Sequence, residues 1–158
     1  MPNLAESIAP RTAASFEVRS EELRVHTRLR VQLLDITDEI QERVHKSGIQ
    51  DGIVVVNSLH TTLALFINEH QEALFTDMLF FLEQQVERHT YWKHNDPHFS
   101  DCDRANADAH LRAMLLGHSL ALPLRDGKLV LGIFQRTILA ELDGPQARKL
   151  QLQILGSA

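Results

Sequence analysis

Three histidines in separate segments are the residues of this chain whose type and setting best suit chemistry. His60 precedes Thr61 and Thr62 between two apolar runs, His94 opens the polar sequence His-Asn-Asp-Pro-His, and His110 lies in an alanine- and leucine-rich segment. Imidazole binds metals and transfers protons near neutral pH. The ordinary structural interpretation of each is a histidine hydrogen-bonded to the backbone or exposed to solvent, and the chain has nine histidines in all.

Carboxylate and amide groups lie near these histidines in the sequence. Asn68 and Glu69 follow the second apolar run, where either could cap the next helix or where Glu69 could act as an acid, a base or a metal ligand. A strand rises about 3.3 Å per residue, so Glu69 and His60 can share a site only across a bend or a subunit boundary. Asp96, beside His94, is also suited to proton transfer or metal binding.

Two further positions have both a functional and a structural interpretation. Asn106 precedes His110 by four residues and therefore shares one face of a predicted helix with it. Arg148 has the planar fork that binds phosphate or carboxylate in a bidentate manner, although a surface ion pair is the simpler role. Gln135 lies beside the C-terminal strands, and Ser119 lacks the pattern of a nucleophile elbow. The sequence has no HExxH or CxxC motif of a known zinc site.

Composition limits the classes of function. The formal net charge is -5, which argues against sequence-independent nucleic-acid binding. No apolar run is long enough to span a bilayer, and the N-terminus lacks the pattern of a secretory signal. A single cysteine, Cys102, cannot form an internal disulfide. These features predict a soluble, cytoplasmic protein with a flexible extension at residues 1–14 and one domain at residues 15–158.

Periodicity predicts the elements that must position these side chains. Alternation from Phe16 to Ile36, with Leu29 among the buried positions, predicts a half-exposed strand or hairpin. Thr37 is the predicted N-cap of a first helix that ends at Gly48, and two buried strands flank residues 57–61. Two more helices are predicted, from about residue 70 to 88 and from about 107 to 117. Short strands follow, one of them at residues 128–134, with Asp-Gly turns at residues 126 and 143. The order predicts one α+β domain with about three helices and a largely antiparallel or mixed sheet.

Several longer runs, in order, resemble the motifs of the YjbQ-like family of secondary thiamine-phosphate synthases. They are HTTLALFINEH, YWKHND, ADAHLRAMLLGHSLALPL, DGKLVLGIFQ and ARKLQLQILG. The resemblance extends from about Leu33 to Gly156. It implies a compact α+β protein that assembles as a homotrimer, with polar clefts near the subunit contacts, and a weak transferase activity that joins a pyrimidine pyrophosphate to a thiazole phosphate.

The resemblance also implies roles for particular residues. The metal-facing set is His60, His94 and His110, with zinc or magnesium as the expected divalent ion. Glu69, Asp96 and Gln135 are the expected catalytic or supporting groups. The residues expected to bind ligand or phosphate are Thr61, Thr62, Asn68, Asn106, Ser119 and Arg148.

The sequence departs from the family pattern at three places near the expected site. Ile133 and Phe134 stand where a Thr-Trp pair is frequent, His70 replaces an asparagine, and Gly144-Pro145 replaces a Gly-Gly pair. Two functions other than an enzyme acting on a small phosphorylated molecule stay open at this point. One is a trimeric module that binds a metal or an anion without significant catalysis, and the other is a structural adaptor trimer. Neither nucleic acid nor a membrane is an expected partner.

Overall fold

Two antiparallel sheets and three helices make up the part of the chain that the computed structural model describes, residues 15–158. The predicted extension at residues 1–14 lies outside that part. The strands are β1 (Phe16–His26), β2 (Gln32–Asp35), β3 (Asp51–Ser58), β4 (Leu63–Asn68), β5 (Ser119–Arg125), β6 (Lys128–Leu129), β7 (Arg136–Glu141) and β8 (Ala147–Ser157). The helices are α1 (Thr37–Ser47), α2 (Glu72–Gln85) and α3 (Ala107–Leu116), with a short 3-10 turn at Lys93–Asn95.

The strands form a five-stranded sheet in the order β1-β8-β3-β5-β6 and a three-stranded sheet in the order β2-β7-β4. Every strand pair in residues 15–158 is antiparallel. This arrangement confirms the predicted α+β class.

The two sheets face each other across the main hydrophobic core. Leu139 of β7 packs there against the inward residues of β3 and β8, and Ile40 and Val44 of α1 join the same cluster. Alternate residues of β7 point to the opposite face, because successive side chains of a strand alternate. Ile138 and Ala140 accordingly pack against α2 and α3 in a second cluster. The three-stranded sheet therefore lies between the five-stranded sheet on one face and helices α2 and α3 on the other. Polar side chains at the ends of its strands can point to either face.

Local signals located most element ends correctly. Gly48 ends α1 in the left-handed conformation, with φ 76°, and Gly117 follows the last residue of α3. The turn at Asp126-Gly127 joins β5 to β6. No helix within residues 15–158 is both long and apolar enough to cross a membrane.

Four local predictions are wrong. The segment from Phe16 to Ile36 contains the predicted half-exposed strand, β1, but it is not a hairpin, because β1 and β2 belong to different sheets, and Leu29 in the connection is 59% exposed. Thr37 is the first residue of α1 and not its cap. Helix α2 is capped by the side chain of Gln71, which accepts from the N–H of Leu74 at 2.6 Å. Neither of the two candidate caps, at positions 68 and 69, has that role.

The predicted strand from residue 128 to 134 is also much shorter than expected. Only Lys128 and Leu129 pair with β5, and the chain then leaves the sheet. Ile133 is 92% exposed and Phe134 66% exposed, so these apolar side chains lie on the surface of the chain.

Candidate functional site

A buried ion pair between the two sheets forms one half of the site. Glu141 ends β7 on the same face as Leu139, and Arg148 lies on the inward face of β8 with Leu150, so both point into the space between the sheets. Arg148 Nε donates to Glu141 Oε2 at 2.6 Å, and Nη2 donates to Oε1 and to Thr62 Oγ1. Glu141 has no exposed surface and Arg148 has 2%. The guanidinium is thus already occupied by a carboxylate, and binding phosphate would require this pair to open.

His60 closes the same edge of the sheets. The β3–β8 ladder ends at Ser58, and beyond it His60 Nε2 accepts a hydrogen bond from the N–H of Lys149 at 2.8 Å. An imidazole nitrogen that accepts carries no proton, so the neutral ring bears its proton on Nδ1. Burial lowers the pKa of His60 and the nearby positive charge of Arg148 lowers it further. His60 is therefore held neutral, with Nδ1–H left as its donor.

His94 and His110 form the other half of the site. The 3-10 turn carries His94 and α3 carries His110, and the two rings meet edge to face with centroids 5.0 Å apart. Both rings line a cavity of about 310 Å³ together with Trp92, Lys93, Ala107 and Leu111. Burial lowers the pKa of His110, and the neighbouring His94 lowers it further. This cavity therefore combines two histidine rings with an aromatic wall, and the ammonium group of the lining residue Lys93 lies over the ring of Phe99, 5.2 Å from its centroid.

Asp143 links the two halves. Its Oδ2 accepts from Asn106 Nδ2 at 2.8 Å and from Arg104 Nε at 2.7 Å, and Asn106 Oδ1 lies 3.2 Å from His94 Nε2. The N–H of Asp143 donates to Glu141 Oε1 at 2.9 Å. Burial opposes the charge of Asp143, but the hydrogen bonds from Arg104 and Asn106 hold its pKa below the ordinary value. A continuous polar network therefore connects the His94 cavity to the buried ion pair.

The structure places the remaining predicted residues away from this network. Asn68 lines a separate, apolar cavity of about 350 Å³, and its Oδ1 accepts from the N–H of Glu69, whose side chain is exposed. Gln135 accepts from the N–H of Gly132 in an exposed loop. Thr61 and Ser119 are exposed as well. The roles predicted for these residues stay predictions.

Asp96 organises the loop that carries His94. It accepts from the hydroxyl of Tyr91 at 2.6 Å and from the backbone and ring of His98 at 2.9 and 3.0 Å. The hydrogen bond from Tyr91, followed by the one from the His98 backbone, lowers the pKa of Asp96. Its carboxylate is therefore held by its own loop, next to the cavity wall that Trp92 provides.

The departures from the family pattern have local structural partners. His70 stacks on Phe75 with ring centroids 5.0 Å apart, and its Nδ1 lies 3.1 Å from Asp35 Oδ2. Asp35 also accepts from Arg136 Nε at 2.6 Å. His70 thus belongs to a hydrogen-bonded network with Asp35 and Arg136. Ile133 and Phe134 are exposed in the loop after β6.

The predicted metal set does not assemble within one chain. No three His, Cys, Asp or Glu side chains among residues 15–158 lie where they could hold one ion together. His60 Nε2 accepts from the backbone of Lys149, and His94 Nε2 faces Asn106. These residues therefore do not fit a resident three-histidine metal site in a single chain, and the metal stays a prediction.

Four residues of the site were not among the candidates drawn from the sequence: Trp92, Lys93, Arg104 and Asp143. Glu141 has a detectable signal in the sequence, because a carboxylate directly after the apolar residues 138–140 needs a partner, and Arg148 is the cation within reach along the chain. Lys93 adjoins His94 in the same polar loop. Asp143 had no such signal, since an Asp-Gly pair between two strands is fully explained as a turn.

Comparison with known proteins places this chain in a family. The family described as UPF0047 protein YjbQ-like matches residues 21–157. A UPF0047 protein of Archaeoglobus fulgidus is 42% identical over 134 residues, which is 85% of this chain and 99% of that protein. A UPF0047 protein of Methanothermobacter thermautotrophicus is 40% identical over 141 residues, covering 89% of this chain and 94% of that protein.

Solved structures agree in fold. A YbjQ-like protein of unknown function from Sulfolobus solfataricus has a TM-score of 0.84 at 39% identity, covering 90% of this chain and all of that one. A hypothetical protein from Aeropyrum pernix has a TM-score of 0.81 at 34% identity, covering 88% of this chain and 99% of that one. The match over nearly the whole described domain, in both sequence and structure, shows that this chain belongs to the YjbQ-like family of UPF0047 proteins.

Proposed function

We propose that the cavity of His94 and His110 binds a small phosphorylated molecule and that the protein is a transferase of the thiamine-phosphate synthase type. The observation that carries the proposal is the pairing of two histidine rings with Lys93 and Trp92 around one cavity of about 310 Å³. Ligand sites of enzymes start at about 300 Å³ and combine apolar walls with a few polar groups. The aromatic wall suits a planar heterocycle, and the ammonium group suits a phosphate.

In the proposed reaction, the ring nitrogen of a thiazole phosphate forms a bond to the methylene carbon of a pyrimidine pyrophosphate. The bond from that carbon to the pyrophosphate oxygen breaks, and pyrophosphate leaves with the electron pair. Groups that stabilise negative charge on the departing oxygen lower the barrier of such a step. Lys93 and a ring N–H of His110 are the donors that the cavity offers for this purpose. No step of the proposal depends on the predicted zinc or magnesium ion.

A second copy of the chain is part of the proposal. Phe80 and Phe81 on α2, and Met114 and Leu115 on α3, are all more than half exposed. Large exposed apolar side chains on neighbouring helices are typical of an interface between subunits. We propose a homotrimer in which these helices contact another copy.

The test is turnover by purified protein, both stripped of metal and reloaded with Mg²⁺ or Zn²⁺. We expect thiamine phosphate to form from the two substrates, and His94→Gln and His110→Gln to lose this activity. The matched control is His98→Gln, because His98 lies in the same loop with its side chain 87% exposed. Equal rates for all three variants, or no product from the wild type, would contradict the transferase proposal.

The alternative function is a module that binds an anion without significant catalysis. The same lysine and histidines favour it, because anion binding needs only the donors and not the chemistry. Calorimetry with pyrophosphate distinguishes the two functions. Binding that is lost in His110→Gln, together with no turnover of the wild type on the two substrates, would assign the cavity to binding alone.

A further inference from the structure

We infer that Asn106 and Asp143 are positioning residues that fix His94 in the tautomer protonated on Nε2. This inference deepens the proposed site, because it states which atom His94 presents to a ligand. It does not require that the bound molecule be turned over.

The chain of evidence begins at Arg104. Its Nε donates to Asp143 Oδ2 at 2.7 Å, and its Nη2 donates to the Asp143 carbonyl oxygen at 3.0 Å. This pairing keeps Asp143 a carboxylate, which only accepts hydrogen bonds. The neighbouring side-chain group of Asn106 must therefore be its NH₂, and the 2.8 Å contact is a donation from Nδ2.

The orientation of Asn106 decides the state of His94. With Nδ2 committed to Asp143, Asn106 turns its Oδ1 toward His94 Nε2, 3.2 Å away. A carbonyl oxygen only accepts, so Nε2 must carry the proton. The reverse amide orientation would set Oδ1 against a carboxylate and an NH₂ against the ring, and Asn106 is 4% exposed, so water could not relieve the repulsion.

The consequence falls on Nδ1 of His94. In the neutral ring it bears a lone pair, and it has no hydrogen-bond partner among residues 15–158. His94 Nδ1 is therefore an acceptor that can take a hydrogen bond from a donor group of a bound molecule.

The test is NMR spectroscopy of the full chain labelled with ¹⁵N-histidine, at a pH where the rings are neutral. Two-bond ¹⁵N–¹H correlations distinguish the tautomers, and the His94 signals are identified by their absence in His94→Gln. We expect the wild type to show only the form protonated on Nε2. Asn106→Leu and Asp143→Ala each break the link between the carboxylate and the ring, and each is expected to shift the His94 ¹⁵N signals toward those of the form protonated on Nδ1.

Two further variants separate positioning from folding. Asn95→Ala removes another amide of the same loop, whose Oδ1 accepts from the N–H of Ala107 at 3.0 Å, and should leave the tautomer unchanged. Asp143→Asn is the conservative variant, because its amide oxygen can take the place of Oδ2 and accept from both Arg104 and Asn106, so it should keep the wild-type spectrum. A wild-type ring protonated on Nδ1, or an Asp143→Ala spectrum identical to that of Asp143→Asn, overturns the inference. An inactive protein with the expected spectrum would refute only the transferase proposal.

Discussion

Replacing Glu141 by leucine tests whether the ion pair between the sheets acts as a unit. The substitution leaves the Arg148 guanidinium buried, with Thr62 as its remaining side-chain partner. Removing one partner of a buried pair costs about 3–5 kcal/mol, because an uncompensated charge stays in a medium of low dielectric. For a domain of this size, about 1 kcal/mol corresponds to roughly 2–4 °C in Tm, so we expect a loss of at least about 6 °C.

The informative comparison is with the double variant Glu141→Leu/Arg148→Met. Removing both charges eliminates the uncompensated cation, and apolar replacements of buried pairs are often nearly neutral. Some cost persists, because Thr27 Oγ1 and the N–H of Asp143 also donate to Glu141, both at 2.9 Å. We therefore expect the double variant to be less stable than the wild type but more stable than Glu141→Leu.

Urea unfolding followed by circular dichroism measures the free energy of unfolding, and it is done at one protein concentration because self-association affects stability. Glu42→Gln is the control, since Glu42 and its partner Lys46 are both well exposed, and no measurable change is expected. A Glu141→Leu variant within about 1 kcal/mol of the wild type would refute the reasoning, because breaking a buried pair should cost more. So would a double variant no more stable than that single variant.

Three further predictions concern the scaffold. Burial opposes the charge of Asp35, but hydrogen bonds from Thr37 and Arg136 lower the pKa of this carboxyl below its ordinary value of 3.8. The stability that the ionised Asp35 contributes is therefore present above pH 3.8 and is lost as the pH falls through the lower pKa of the folded state. Between pH 4.5 and pH 2.5, Asp35→Asn should lose less stability than the wild type, as measured by urea midpoints, and equal losses would contradict this. Gly156→Ala should lower the free energy of unfolding by about 1–3 kcal/mol, because an added β-carbon collides with the carbonyl oxygen of Asp51 in β3. An unchanged urea midpoint would show that β3 and β8 can move apart without cost. Gly48→Ala should cost about 1–2 kcal/mol through its positive φ alone, since no atom lies within 4 Å of an added β-carbon, and an equal loss in Gly48→Asn, a residue that tolerates this conformation, would argue against that cause.

Elements with local causes could be predicted from the sequence. Gly48 ends α1 because it adopts a left-handed conformation, and Asp126-Gly127 makes a turn for the same local reason. The predicted C-terminal strand at KLQLQIL is confirmed as part of β8. Long-range choices were less accessible: nothing in the segment from Phe16 to Ile36 shows that the chain leaves one sheet at residue 26 and joins another at residue 32. The exposure of Leu29 follows from that crossing.

The candidate site shows the same division. The structure confirms the helix that carries His110, with Asn106 as its N-cap residue. The contact between His94 and His110 and the contact between Asn106 and Asp143 join residues that are 16 and 37 positions apart. Composition and spacing could not supply such contacts, because the first depends on how the loop after α2 packs onto α3 and the second on where the connection between β7 and β8 lies. Residues Glu69 and Gln135, matched by motif alone, lie outside this network in the single chain.

The sequence by itself determined the α+β class and the positions of the helices, because these follow from periodicity and from residues with restricted backbone conformations. Only the tertiary structure decided what stands opposite each polar side chain. In the folded chain Arg148 donates to Glu141, and His60 Nε2 accepts from the backbone N–H of Lys149. Asn106 forms hydrogen bonds with both His94 and Asp143. The physical reason is that a buried polar group takes its role from its hydrogen-bond partner, and the partner is chosen when the sheets and helices pack together.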